Sequence, residues 1–260
     1  RVLRFRLPMT DEADRACQVL FYYAFPEQVK FLFAFDHRLR RDLDVGWSLY
    51  DMGREFNRQG LLAGAHPRFR ISDSNSGFAL CTSYPEQLCV PIDVSDAELF
   101  ASAAFRSEQR LPVLTWASPT TASLWRSSQP KVGVAGNSCT EDQQLLAAIA
   151  APILHIIDCR PKNSARANAL TGHGCENTAN YPFAQVQFMN MENIHSVRDA
   201  YQKLKRLSLS TTVKDALWGG LVEETRWLHH LRQLLSASFE VARLLYVKKE
   251  PVLVHCSHGW

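Results

Sequence analysis

Cys256 stands in the run His255-Cys256-Ser257-His258-Gly259-Trp260, the stretch of this chain best equipped for chemistry. A β-branched and leucine run, Val252-Leu253-Val254, precedes it behind Glu250-Pro251, and such a run reads as a buried strand. The thiol therefore sits where a strand gives way to a glycine-containing turn. Successive backbone N–H groups in such a turn form a concave nest that favours an anion. Those donors and a neighbouring histidine lower a cysteine's pKa from about 8.5 toward roughly 3.5–7.5, which makes a thiolate nucleophile at neutral pH. An anion held in the nest lies within that nucleophile's reach. A phosphate site of this kind also calls for an arginine six positions after the cysteine, because a planar guanidinium grips two oxygens at once. That position falls after Trp260, so the expectation is a chain cut within its own loop.

The elements that must position Cys256 alternate. Leu3, Phe5 and Leu7 interleave with Arg4 and Arg6 as a half-buried strand. Thr10 or Asp11 opens a helix toward Ala24, stopped by Pro26. Residues 26–45 read as a linker, and a denser domain is expected over 46–260. Ser95-Asp96-Ala97-Glu98 is a capping box for a short helix, and Thr140-Glu141-Asp142-Gln143 reads as a second. Leu111 to Trp116, Ile153 to Asp158 and Gln185 to Phe188 read as strands. Ala117 to Pro130, rich in Ser, Thr and Pro, reads as a loop. His195 to Leu207 and Leu221 to Leu245 have helical spacing, the latter with a stripe of Leu228, Leu231, Leu235, Phe239 and Ala242. The alternation predicts an α/β fold with a largely parallel sheet flanked by helices.

Composition excludes several classes. A net charge of +3 is too small to argue for nucleic acid. The longest apolar stretch, Leu145 to Ile157, is interrupted by Pro152 and His155 and is too short to span a bilayer. The 7 cysteines form no Cys-x-x-Cys pair and no zinc-like spacing with histidine. Their odd, scattered set suits a reducing cytosol. Trp227, His229 and His230 share a helix without carboxylate or cysteine at ligand spacing, so no metal site is expected there.

Many separate stretches resemble one family in order. They are Leu80-Cys81-Thr82-Ser83-Tyr84-Pro85, Ala104-Phe105-Arg106-Ser107, Arg110 to Leu114, Ser128-Gln129-Pro130 and Asp158-Cys159-Arg160-Pro161-Lys162-Asn163. Ala167-Asn168, Glu192-Asn193-Ile194-His195, Trp227-Leu228-His229-His230 and Val254-His255-Cys256-Ser257 complete the set. Together they resemble the myotubularins, phosphoinositide 3-phosphatases of the cysteine-phosphatase superfamily, and Glu192 to His195 is most similar to a branch that carries a coiled coil. Residues 1–25 resemble the end of the PH-GRAM domain that precedes the phosphatase domain in this family.

The resemblance implies that Cys256 attacks the 3-phosphate of phosphatidylinositol 3-phosphate or phosphatidylinositol 3,5-bisphosphate, with no metal or organic cofactor. It implies substrate contacts at Asn168, Asn193, Ile194, Ser257, His258, Gly259 and Trp260. It also implies action as a cytoplasmic protein peripheral on membranes, with homo- or hetero-oligomers among myotubularins as partners. The family's loop reads Cys-Ser-Asp-Gly-Trp-Asp-Arg, so His258 replaces the first Asp, and the second Asp and the Arg lie after Trp260. The family's Gly-Tyr-Glu becomes Gly174-Cys175-Glu176. Those departures leave a second expectation, a catalytically inactive scaffold that partners an active relative.

Overall fold

The computed structural model describes residues 10–25, 51–61, 68–210, 212 and 214–259. The chain divides into two units, Arg1–Tyr50 and Asp51–Trp260. In the first, helix α1 spans Thr10–Ala24 with Asp11 and Glu12 in its first turn, where carboxylates suit the positive end of the helix dipole. The expected strand at Leu3 to Leu7 and the expected linker over 26–45 lie outside the described residues.

The second unit opens with α2, Met52–Arg58, capped by Asp51 accepting from the Arg54 N–H at 2.6 Å. A hairpin-like pair follows, β1 Phe69–Ser72 against β2 Leu88–Pro91, antiparallel. Helix α3, Asp96–Phe105, starts on the full capping box of Ser95 and Glu98. The expected strand at 111–116 is β3, Val113–Ala117.

The stretch read as a loop over 117–130 is corrected by the structure. It contains β4, Ser123–Ser127, antiparallel to β3. Its buried positions are Ser123, Trp125 and Ser127, so the strand's period-2 pattern is carried by two serines that composition counts as polar. The second capping box is also corrected. Helix α4, Thr140–Ile149, starts after Cys139 without a side-chain cap. Asp142 points inward instead and is fully buried.

Strand β5, Leu154–Asp158, leads into α5, Lys162–Ala167. Strand β6, Ala184–Phe188, precedes α6, Ile194–Ser208. The helical pattern expected over 221–245 is two helices, α7 Asp215–Glu224 and α8 Trp227–Arg243. They part at Arg226, whose φ of 63° is left-handed, while the Thr225 hydroxyl donates to the Val222 carbonyl at 2.6 Å. No glycine or proline marks this break. Strand β7, Val252–His255, ends the series.

The five-stranded sheet runs β3-β4-β7-β5-β6. Strands β4, β7, β5 and β6 are mutually parallel, and β3 is the antiparallel edge. The last strand in the chain therefore lies at the centre, between β4 and β5. Its Val252 and Leu253 are fully buried, as are Trp125, Leu145, Leu146, Leu154 and Ile156 of the surrounding core. At about 25 cal/mol per Å² of apolar surface, side chains buried on both faces hold this strand firmly. In a mostly parallel open sheet, ligands bind outside the carboxyl ends of the strands. Cys256 leaves the sheet at that edge.

Candidate active site

Ser127, His255 and Asp158 stand side by side at the carboxyl ends of β4, β7 and β5. Cys256 follows His255 into the turn, and three donors from elsewhere take the turn's carbonyls. The Gln129 N–H donates to the Ser257 carbonyl at 3.2 Å. Arg110 donates to the His258 carbonyl, and Arg126 donates to the Gly259 carbonyl at 2.6 Å. A trans peptide unit aims its C=O and N–H in opposite directions. With the carbonyls at 257 and 258 held by these donors, the N–H groups of 258 and 259 are aimed away from them, as successive amides of an anion nest would be.

Gly259 has φ +72°, and a Cβ there would lie 2.2 Å from the Ser127 carbonyl oxygen. Only glycine lets the turn close this tightly on the end of β4. Arg110 also donates to the Ser83 hydroxyl at 2.8 Å, and the Arg126 guanidinium lies 5.4 Å from the centre of the Tyr84 ring. The segment at 80–85 thus supports both arginines from behind.

Asn168 reaches the turn from the end of α5. Its Nδ2 donates to the Ser257 hydroxyl at 3.1 Å and to Gln129 Oε1 at 3.0 Å. Arg160 donates to the same Gln129 oxygen and pairs with Asp158 at 2.7 Å. It is a buried structural ion-pair member. Asn193 is placed otherwise: its side-chain oxygen caps α6, accepting from the N–H groups of His195 at 3.0 Å and Ser196 at 3.1 Å. Among the described residues no hydrogen bond joins it to the turn. Ile194, the first residue of α6, is exposed, as is His258. Trp260 lies outside the described residues.

Behind the turn runs a buried chain of charge. The His255 ring is fully buried; its Nδ1 lies 3.0 Å from the Cys256 carbonyl oxygen. Its Nε2 lies 3.1 Å from Glu176 Oε2, an ion-pair distance outside hydrogen-bond alignment. Glu176 Oε1 accepts from Arg106 at 2.5 Å, and Arg106 makes a forked pair with Asp142 at 2.8 and 2.7 Å. Asp142 accepts further from the Ser102 and Tyr181 hydroxyls at 2.6 and 2.8 Å. Burial by itself would push the His255 ring down, but the charge and direct contact of Glu176, with the charge of Asp158, together outweigh it and raise the ring above its ordinary value. Burial would likewise raise the Glu176 carboxyl, and the charges of His255 and Arg106 instead hold it well below the usual carboxylate range. Buried charges persist where they are paired in this way.

Sequence reasoning placed Cys256, Ser257, Gly259 and Asn168 in one region, and the structure brings these four together. It missed Gln129, Arg110, Arg126 and Glu176 as supports, although each lies in or beside a stretch already singled out. Arg110 is 148 residues and Arg126 is 133 residues from the carbonyls they hold.

A cysteine at the carboxyl edge of a mostly parallel sheet, opening a tight glycine-containing turn, has the layout of a cysteine-phosphatase domain. Comparison with known proteins narrows the class. The description "Myotubularin-like phosphatase domain" matches residues 31–260, and the chain belongs to that family. It is 37% identical over 267 residues to a myotubularin of Xenopus laevis, with all of this chain and 44% of that protein covered. It is 34% identical over 244 residues to the Gallus gallus phosphatidylinositol-3,5-bisphosphate 3-phosphatase MTMR8, covering 90% of this chain and 38% of that protein. To the Mus musculus phosphatidylinositol-3-phosphate phosphatase MTMR7 it is 35% identical over 239 residues, covering 88% and 35%. The chain thus spans less than half the length of these relatives.

Proposed function

We propose that this chain carries the nucleophile and the backbone cradle of a phosphoinositide 3-phosphatase. The observation that carries the reading is the turn after β7, where Gln129, Arg110 and Arg126 hold the three consecutive carbonyls that follow Cys256. The amides of that turn bind the 3-phosphate of phosphatidylinositol 3-phosphate or its 3,5-bisphosphate, the substrates in the names of the mouse and chicken relatives. The Cys256 sulfur attacks phosphorus, the bond to the inositol oxygen breaks, and a phosphocysteine forms. Water then attacks that phosphorus, releasing phosphate and restoring the thiolate. The departing inositol oxygen takes a proton from an acid. The family's aspartic acid for that task, and its phosphate-gripping arginine, fall at positions after 260, so neither role is given to a described residue.

Asn168 orients the cradle through Ser257, and Asn193 meets the substrate only with the nitrogen end of its amide, because its oxygen caps α6. Exposed Leu170 and Ile194, close in sequence to these two asparagines, suit a rim that faces lipid. Among the described residues no helix is long and apolar enough to cross a membrane, so access to a lipid substrate is proposed to be peripheral, at cytosolic surfaces. Residues 1–25, with α1, are proposed as the end of a PH-GRAM domain, and association with other myotubularins as a further property of the whole protein.

The test is phosphate release from vesicles containing phosphatidylinositol 3-phosphate by the full-length protein, with Cys256→Ser beside it. Release that vanishes in the variant is expected. A folded full-length protein that releases no phosphate, or a Ser variant as active as the parent, overturns the reading and favours a scaffold.

A further inference from the structure

Cys159 follows β5 as Cys256 follows β7. Parallel register pairs His155 with Val252 and Asp158 with His255. The hydrogen bonds continue one step further, because the Cys159 N–H donates to the His255 carbonyl at 2.9 Å, just as the His155 N–H donates to the Pro251 carbonyl at 3.0 Å. That continuation sets Cys159 directly beside Cys256. Side chains alternate along strands, so if Asp158 and His255 share one face, the two cysteines share the other. Adjacent strands lie about 4.8 Å apart, inside the window of roughly 4.4–6.8 Å between Cα atoms that a disulfide spans. Both residues are half-buried with free thiols. Burial, and after it the charge on Cys256, push the Cys159 thiol up to about 12. Register and the shared edge of β5 and β7 thus hold Cys159 as a second thiol beside Cys256, and the part of its upward shift that comes from the Cys256 charge is lifted once Cys256 is oxidised.

We propose that Cys159 is a resolving cysteine, which joins Cys256 in a disulfide when a peroxide oxidises the nucleophile. The inference rests on reading Cys256 as a reactive thiolate. In the first step the Cys256 sulfur attacks one peroxide oxygen; an S–O bond forms, the O–O bond breaks, and the departing hydroxide takes up a proton as water. Sulfur loses two electrons and the peroxide gains them, leaving a sulfenic acid. In the second step the Cys159 sulfur attacks the Cys256 sulfur. An S–S bond forms, the S–O bond breaks, and the hydroxyl leaves as water with the Cys159 proton. Two thiols and one hydrogen peroxide thus become one disulfide and two waters. The disulfide removes the nucleophile, yet a dithiol restores it, whereas an unprotected sulfenic acid proceeds to the irreversible sulfinic acid.

The experiment treats the full-length protein with hydrogen peroxide, digests it without reductant and maps the cysteine peptides by mass spectrometry. The expected product is a Cys159–Cys256 linked peptide that dithiothreitol dissolves. In Cys159→Ser, and in Cys159→Ala as a second packing test, the linked peptide is lost and Cys256 sulfinic acid takes its place. Recovery of phosphate release by dithiothreitol should fall in both variants while activity before peroxide is kept. Sulfinic acid at Cys256 of the unmodified protein without a linked peptide, or linkage to Cys175, overturns the proposal. The peptide map reads the thiols directly, so an inactive protein that still forms the link separates failure of the enzymatic reading from failure of this one.

Discussion

Gly259 shows at a single position how much the turn depends on placement. Its left-handed φ costs an L side chain about 1–2 kcal/mol, and its added Cβ would press on the Ser127 carbonyl. Gly259→Ala should therefore displace the amides beside Cys256, and a shift of about 1 Å lowers turnover on the order of 10²-fold. Phosphate release by the full-length variant checks this, with circular dichroism to show that the fold is kept. His258 poses a different question. Its carbonyl is held by Arg110 while the residue itself is exposed, so backbone position and side-chain chemistry separate. His258→Asp should leave the backbone alone and restore the carboxylate of the family pattern. We expect turnover to rise by about tenfold, equivalent to roughly 1.4 kcal/mol of transition-state stabilisation, chiefly in kcat. A fall in kcat with folding intact would make the histidine a working part of the site. Cys256, Ser257 and Gly259 were legible in sequence because they are neighbours there, and Asn168 through the family resemblance. Arg110 and Arg126 act across more than a hundred residues, and no local pattern encodes such a contact.

Strands and helices carry the next level, and here the buried pair of His255 and Glu176 ties the end of β7 to the segment before β6. The raised His255 ring contributes stability fully below its ordinary value of 6.5, and that contribution fades as pH climbs through the raised folded value. The depressed Glu176 carboxyl contributes above its ordinary 4.5 and loses that contribution as pH falls through its lowered value. The pair is thus most useful between about 4.5 and 6.5. Thermal midpoints measured against pH should show His255→Gln furthest below the parent inside that window, with the gap narrowing as pH rises above it. A constant gap from acid to alkaline pH would mean that the ring acts by packing alone. Strand β7 and helix α3 were legible because Pro251 with a short apolar run, and Ser95 with Glu98, are local signals. Strand β4 was hidden because two of its three inward positions are serines, and Asp142 mimicked a capping residue while serving Arg106. The break at Arg226 lacked any helix-breaking residue type.

At the scale of the molecule, one face of α8 is unlike the rest of the second unit. Leu228, Leu231, Leu234, Leu235 and Phe239 are all exposed, Leu235 at 69% and Phe239 at 71%. The stripe was legible from its spacing, but spacing alone does not say whether a neighbour covers it. An apolar patch of this kind drives association in water. The 260-residue chain should therefore self-associate at micromolar concentration, and Leu235→Lys combined with Phe239→Lys should shift it toward monomer in light scattering. A monomeric parent chain under the same conditions would contradict this. The sheet order has a temporal consequence as well. Synthesis proceeds from the N-terminus, so β4 and β5 leave the ribosome long before β7 exists to join them. Until then each presents an unpaired edge of the sort that invites intermolecular pairing. The sheet waits on residues 252–255, and closing it demands a long-range search that slows folding. Since Cys256 is the next residue made, the strand that completes the sheet and the thiol that would work on it arrive together, and a nascent chain has no assembled cradle before it has a closed core.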